Sequence, residues 1–378
     1  MNRIRRALGC AGFAMAVAGA GAPVLAQEGV TRSSIFIGQS VVLAGPGASL
    51  GRPFQAGAKL YFDRVNASGG INGRKIELLT IDDHGQPAAT AANTKKLLEQ
   101  GVLCLFGYYG SPQVAAAYPL VKEAGVLMFG PMSAADEFRG DGFPNIFMVR
   151  PSYSDEAAAI TKHAETLGAR KLAILHANDG ESLSALESAE RTMTKMGARL
   201  VAKAGFVSGS VANAVDKAMA SGAESVLVIA DANGAAGAVR DLRAKSFRGA
   251  IYGFSNTGES LLAEELGADG AGVVVVRVVP KSENPKAAVA RDLQADAAAA
   301  NAGKPNVYML EGYIAAKVLA EVLRRAGPDL TRAKLRQSLE ALRDYSAGGF
   351  RVDYSAKQRV GSKMVELALI DSQGRVRE

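Results

Sequence analysis

Short apolar runs and longer amphipathic stretches alternate along the chain. "SSIFIGQSVV", "KIELLTID", "VLCLFG" and "VLMFG" are rich in β-branched and aromatic residues and end in glycine or polar residues, which predicts buried strands. Between the first two, Phe54, Ala58, Tyr61, Phe62 and Val65 recur at helical spacing up to a glycine stop. Further helices are expected from Pro87 to about Gly101 and from Pro112 to Ala124. A second series of similar length follows "NIFMVRPSYSDE". Its strands are "KLAILHA", "RLVAKAGFV", "SVLVIA" and "AIYGFS", with helices over 181–196, 211–221 and 234–244. Strands alternating with helices of about 10–15 residues imply parallel sheets covered on both faces.

The pattern therefore predicts an α/β chain with two Rossmann-like lobes and parallel-rich sheets. After Val279 the rhythm breaks. "VVPKSENPK" is polar and proline-marked, and helices over 285–302, 305–326 and 331–342 follow, then the short strands "GGFRVDY" and "VELALID". The chain is expected to cross between lobes near Arg150, Pro280 and Gly349. Lobe 1 is then 27–149 with 281–348, and lobe 2 is 150–280 with 349–378. Three crossings side by side make a hinge, and a hinge between two α/β lobes makes a cleft.

Residues 1–26 are read as a cleavable signal peptide: Arg3, Arg5 and Arg6, then a small-residue apolar run, then "VLA" before Gln27. This places the protein in the periplasm. Without the leader, Lys and Arg fall from 44 to 41 against 37 acids, and the net charge from +7 to +4. The charge is spread evenly, with no basic runs, so nucleic acid is not an expected partner. One cysteine, Cys104, remains outside the leader. It lies within an apolar run and is read as core.

Ligands of open α/β sheets bind beyond the carboxyl ends of the strands. "GYYGSPQ" stands out among the segments expected there, because Tyr108 and Tyr109 precede Gly110 and Ser111 at a helix start. Pro112 suits the first helical turn, so Ser111 is the expected N-cap. Ser111 is then either a plain cap or a donor to a carboxylate, since a helix N-terminus presents free N–H groups and partial positive charge. Gly110 allows a ligand close to the backbone. In "GPMSAADEF", Met132, Ser133 and Ala134 offer amides and a hydroxyl in the same way, and two such loops can clamp one carboxylate.

Other chemistry finds less support. Gly45, Gly47 and Gly51 have the wrong spacing for a dinucleotide loop and read as a tight βα turn. His84, His163 and His176 lie far apart, without metal-ligand spacing. Neither an enzyme nor a metal or other cofactor is expected.

Several stretches together resemble the branched-chain amino-acid-binding (Leu/Ile/Val-binding) group of type I periplasmic substrate-binding proteins of ABC importers. They are "IGQSVVLAGPGASLGRPFQAGAKLYFDRVNASGGINGRKIELLTIDD", "LFGYYGSPQVAAAYPLVKEAGVLMFGP", "NIFMVRPSYSDE" and "NVYMLEGYIAAKVLAEVLRRAG". The resemblance implies closure of two lobes on a ligand and a monomeric protein that delivers to an inner-membrane permease. It implies Ser111 as the carboxylate-binding hydroxyl, with Tyr109 and Gly110 as backbone contacts and Ser133 beside a family threonine position at Ala134. In lobe 2, Asp179 and Asp231 stand where leucine binders carry tyrosines, and the family's ammonium-binding acid falls near Ser255 or Asn256. Asp155 matches an acidic family position, with Tyr153 nearby. The default ligand is an amino acid or related small carboxylate. The alternative is a sensor subunit for an aromatic acid or an amide, stacked on the tyrosines at 108 and 109.

Overall fold

The computed structural model describes residues 28–207 and 209–377, and the expected leader lies outside them. In chain order the first half runs β1 (Ser34–Val41), α1 (Ala48–Ala67), β2 (Lys75–Asp82), α2 (Pro87–Glu99), β3 (Cys104–Phe106), α3 (Ser111–Glu123), β4 (Leu127–Phe129) and β5 (Ile146–Phe147). These strands form one parallel sheet in the order β2-β1-β3-β4-β5. β3 and β4 are wholly buried, as strands covered on both faces must be.

The second half runs α4 (Tyr153–Thr166), β6 (Lys171–Ala177), α5 (Gly180–Lys195), β7 (Arg199–Phe206), α6 (Ala212–Ala220), β8 (Ser225–Ile229), α7 (Ala232–Ala244), β9 (Ala250–Gly253), α8 (Glu259–Leu266) and β10 (Val273–Arg277). Then come α9 (Ala288–Ala299), α10 (Val307–Ala326), α11 (Arg332–Glu340), the hairpin β11 (Tyr345–Ser346) and β12 (Arg351–Val352), and finally β13 (Glu366–Ile370) and β14 (Val376–Arg377). The second sheet has the order β14-β13-β10-β9-β8-β6-β7, with β13 and β14 antiparallel to their neighbours. Its series runs two helices, α4 and α8, and one strand, β10, longer than the pattern predicts. The "VVVVR" of β10 merges in sequence with the crossing that follows it.

The fold is thus the expected pair of parallel-rich α/β lobes. α9, α10 and α11 return to the first lobe, where Leu293, Leu310, Ile314 and Leu335 share a core with Phe54 and Phe106. Val149 belongs to that core and Tyr153 to the second-lobe core, which fixes the first crossing; Val278 and Val279 divide likewise at the second. The third crossing is not at Gly349. Phe350, Val352 and Tyr354 still pack in the first core, and Tyr354 donates to the Met148 carbonyl at 2.9 Å. The Ser362 amide bonds the Val149 carbonyl at 3.1 Å, so the chain leaves the first lobe just beyond it. The hairpin's aromatic side chains, buried against a distant strand, move this boundary.

Candidate functional site

A cavity of about 480 Å³ lies between the carboxyl ends of the two sheets. The first lobe lines it with Gly47, Tyr109, Gly110, Pro112 and Gln113, the second with Asn178, Asp179, Glu181, Phe206, Asp231 and Asn256. Among the described residues the lining contains three carboxylates and no Lys, Arg or His. A second hollow of about 460 Å³, walled by α8, β14 and the 281–283 and 304–306 segments, has acids and bases mixed. A Lys304–Glu283 pair at 3.0 Å matches charges there, whereas the charged lining of the first cavity is carboxylates alone.

The turn before α3 sets the geometry. Gly110 has φ 97° and ψ 137°, a conformation that only glycine adopts without strain, and it is itself the N-cap. Ser111 is therefore the first residue of the helix rather than its cap. Its hydroxyl makes no capping bond and lies 2.8 Å from the Ser133 hydroxyl. Its amide, at the positive end of α3, donates to Oε2 of Glu181 from α5 of the other lobe. The Tyr153 hydroxyl donates to Glu181 Oε1 at 2.6 Å. A carboxylate thus occupies the place predicted for a ligand carboxylate, and it belongs to the protein.

Of the other predicted residues, Tyr109 lines the cavity and is half-buried. Its phenol pKa is raised, first by burial and then by the negative charges of Glu181, Asp179 and Asp231. Asp179 caps α5, accepting from the Ser182 amide and hydroxyl, each at 2.8 Å. Asp231 caps α7 through Oδ1 alone, bonded to the Gly234 amide at 2.9 Å. Asn256 lines the cavity, is 7 % exposed, and its Oδ1 has no partner among the described residues.

Besides Ser111 and Tyr153, six expected residues lie outside the cavity lining. Tyr108 points to the opposite side of the sheet from Tyr109, into a core with Val114 and Tyr118, and its hydroxyl pairs with Thr94 at 3.0 Å. Met132 fills the first core and its backbone pairs with Tyr108 and Gly110. Ser133 stands behind Ser111, and Ala134 is core whose carbonyl accepts the Tyr153 amide at 2.8 Å. Asp155 closes a capping box with Ser152 at the start of α4. Ser255 donates to Glu156 through its amide at 2.8 Å and its hydroxyl at 2.7 Å, and that hydroxyl also accepts from Arg150. These side chains are committed to packing or hinge bonds. Accordingly Tyr108→Phe is expected to cost about 1 kcal/mol of stability, the net worth of one hydrogen bond, with ligand affinity unchanged. Denaturant melts and calorimetric titration of the same variant check both.

Glu181, Phe206, Asn178 and Gln113 were missed. Each follows or ends a predicted strand, the position that singled out Ser111, but an acid in a helix's first turn is ordinary and gave no signal of its own.

A model of the periplasmic binding protein family matches residues 34–375. A substrate-binding periplasmic protein from Ralstonia solanacearum is 32 % identical, over 91 % of this chain and 99 % of that one, with a TM-score of 0.84. A branched-chain amino acid transporter substrate binding protein from Streptococcus pneumoniae, solved with isoleucine, shares the fold at 21 % identity and TM-score 0.80, over 92 % of this chain and 98 % of that one. An amino acid binding protein from Pseudomonas aeruginosa is 28 % identical over 51 % of this chain and 53 % of its own length. The chain spans between about a third and about half of the curated relatives it matches.

Proposed function

The chain belongs to the periplasmic binding protein family, and from that premise we propose that it is an exported solute receptor of an ABC importer. It takes an amino acid or related small carboxylate into the cleft and presents it to an inner-membrane permease. The observation that carries this reading is the Glu181 carboxylate held by the Ser111 amide and the Tyr153 hydroxyl. Donors from both lobes, one at a helix N-terminus, make a carboxylate seat that spans the cleft. For the ammonium, Asp231 Oδ2 and Asn256 Oδ1 are acceptors without partners among the described residues. Asp179 has both oxygens engaged by Ser182 and is the weaker candidate. Tyr109 and Phe206 offer apolar surface for a side chain.

The relatives agree in kind: one is an amino acid binding protein and one is solved with isoleucine. A thermal-shift screen followed by calorimetry, with amino acids, aromatic acids, amides and polyamines, tests the reading. An α-amino acid should bind, and its carboxamide should bind about 10- to 150-fold more weakly, the value of a hydrogen bond to a charged group. Equal binding of acid and amide would remove the carboxylate from the mechanism and favour the amide sensor.

A further inference from the structure

We propose that Glu181 determines the specificity and affinity of the site as a tethered competitor: it fills the ligand-carboxylate seat, closes the empty lobes and must be expelled by ligand. The competition rests on the function proposed above; the closure does not.

Glu181 lies in the first turn of α5, and the donors it meets come from both lobes. Oε2 accepts from the Ser111 amide of the first lobe and Oε1 from Tyr153 of the second, at 2.6 Å. One carboxylate therefore joins the lobes, as a bound ligand carboxylate would. The position itself does not demand an acid for helix capping, because Asp179 already caps α5. Nor does the cavity supply a cation that would call for one: its described charged lining is Asp179, Glu181 and Asp231. The Ser111 amide and the Tyr153 hydroxyl, rather than a cation of the lining, hold the carboxylate there.

The rest of the cavity is not satisfied by Glu181. Asn256 Oδ1, on a side chain more than nine-tenths buried, remains without a partner among the described residues. Glu181 thus replaces one end of a ligand and leaves the acceptor end vacant. A molecule with both a carboxylate and a hydrogen-bond donor satisfies both ends and displaces it; one with only a donor has to share the cavity with its charge. Glu181 in this way selects for bifunctional ligands, and the occupied seat lowers the affinity of all carboxylates by the same factor.

Glu181→Ala tests this, with acetate as the probe of the emptied seat. Ligand-free wild type should scatter X-rays as a compact particle, and ligand-free Glu181→Ala as an expanded one. Acetate should restore the compact radius of gyration in the variant and leave wild type unchanged, and methylammonium should do neither. Any amino acid that binds wild type should bind the variant about 10- to 150-fold more tightly, the factor for one hydrogen bond to a charged group. Glu181→Gln, which keeps the shape but bonds as a neutral group, should fall between, and its melting curve provides a second folded variant. A Glu181→Ala protein that stays compact without acetate, or does not respond to it, overturns the proposal. Compaction by acetate with no compound of the panel binding either protein supports the latch and overturns the amino-acid reading. Amino-acid binding equal in both proteins, without an acetate response, overturns the latch and leaves that reading standing.

Discussion

Arg150→Met is expected to lower the free energy of unfolding by about 3–5 kcal/mol, the cost of removing one partner from a buried ionic cluster. Arg150 stands at the first crossing and is 3 % exposed. Its guanidinium is 3.5 Å from Glu156 of α4 and 3.5 Å from Glu311 of α10, and it also donates to the Ser255 hydroxyl. Both glutamates are buried. Burial pushes their pKa values up, while the Arg150 charge pulls them down. Without the arginine, two carboxylates from opposite lobes share one dry site, and at neutral pH both resist ionisation.

The pH dependence has a definite sign. A carboxylate whose folded pKa exceeds its unfolded value contributes stability below the unfolded pKa and loses it as pH rises through the folded one. The deficit of Arg150→Met should therefore be largest at neutral pH and shrink under mild acid. Urea denaturation at several pH values measures it. The triple variant with Glu156→Gln and Glu311→Gln should recover most of the loss. A loss below about 1 kcal/mol at neutral pH would mean that water reaches the cluster and screens it.

The lobes were readable because parallel strands are buried on both faces and appear as unbroken apolar runs, as "VLCLF" and "SVLVI" do. The crossing near Pro280 was marked by local composition. The third was not, because Phe350, Val352 and Tyr354 are placed by contacts with strands some 200 residues away. Within the site, sequence gave the loop and missed the face. Tyr108 and Tyr109 are neighbours leaving β3, and neighbours in extended chain point to opposite sides. One tyrosine enters the core and the other the cavity. Ser255 and Asn256 divide the same way, one to the hinge and one to the cleft. Glu181 was beyond reach because its partner Ser111 lies 70 residues away on the other lobe.

Gly180→Ala, introduced beside Glu181→Ala so that the ligand-free lobes are open, is expected to weaken ligand binding about 5- to 150-fold while leaving the unliganded fold at least as stable. A Cβ at this position would lie 2.5 Å from Cγ of Pro112, across the cleft. The proline ring cannot swing away as a flexible side chain does, so the N-termini of α3 and α5 must separate. Overpacking of this kind costs about 1–3 kcal/mol, which sets the factor. The penalty falls on the closed arrangement alone, because opening the lobes removes the contact, and apparent affinity falls with the population of the closed form. Gly180 is not among the residues with left-handed φ, so alanine meets no backbone strain in the first turn of α5, where it is the better helix former. Affinity and melting temperature should therefore move in opposite directions, or affinity alone should fall. Adding Pro112→Ala removes the atom at 2.5 Å and should restore part of the affinity, giving a coupling that a double-mutant cycle measures directly. Affinity equal to that of Glu181→Ala alone would show that α3 and α5 do not meet when ligand is bound, and the Gly180–Pro112 contact would then not belong to the ligand-bound cleft.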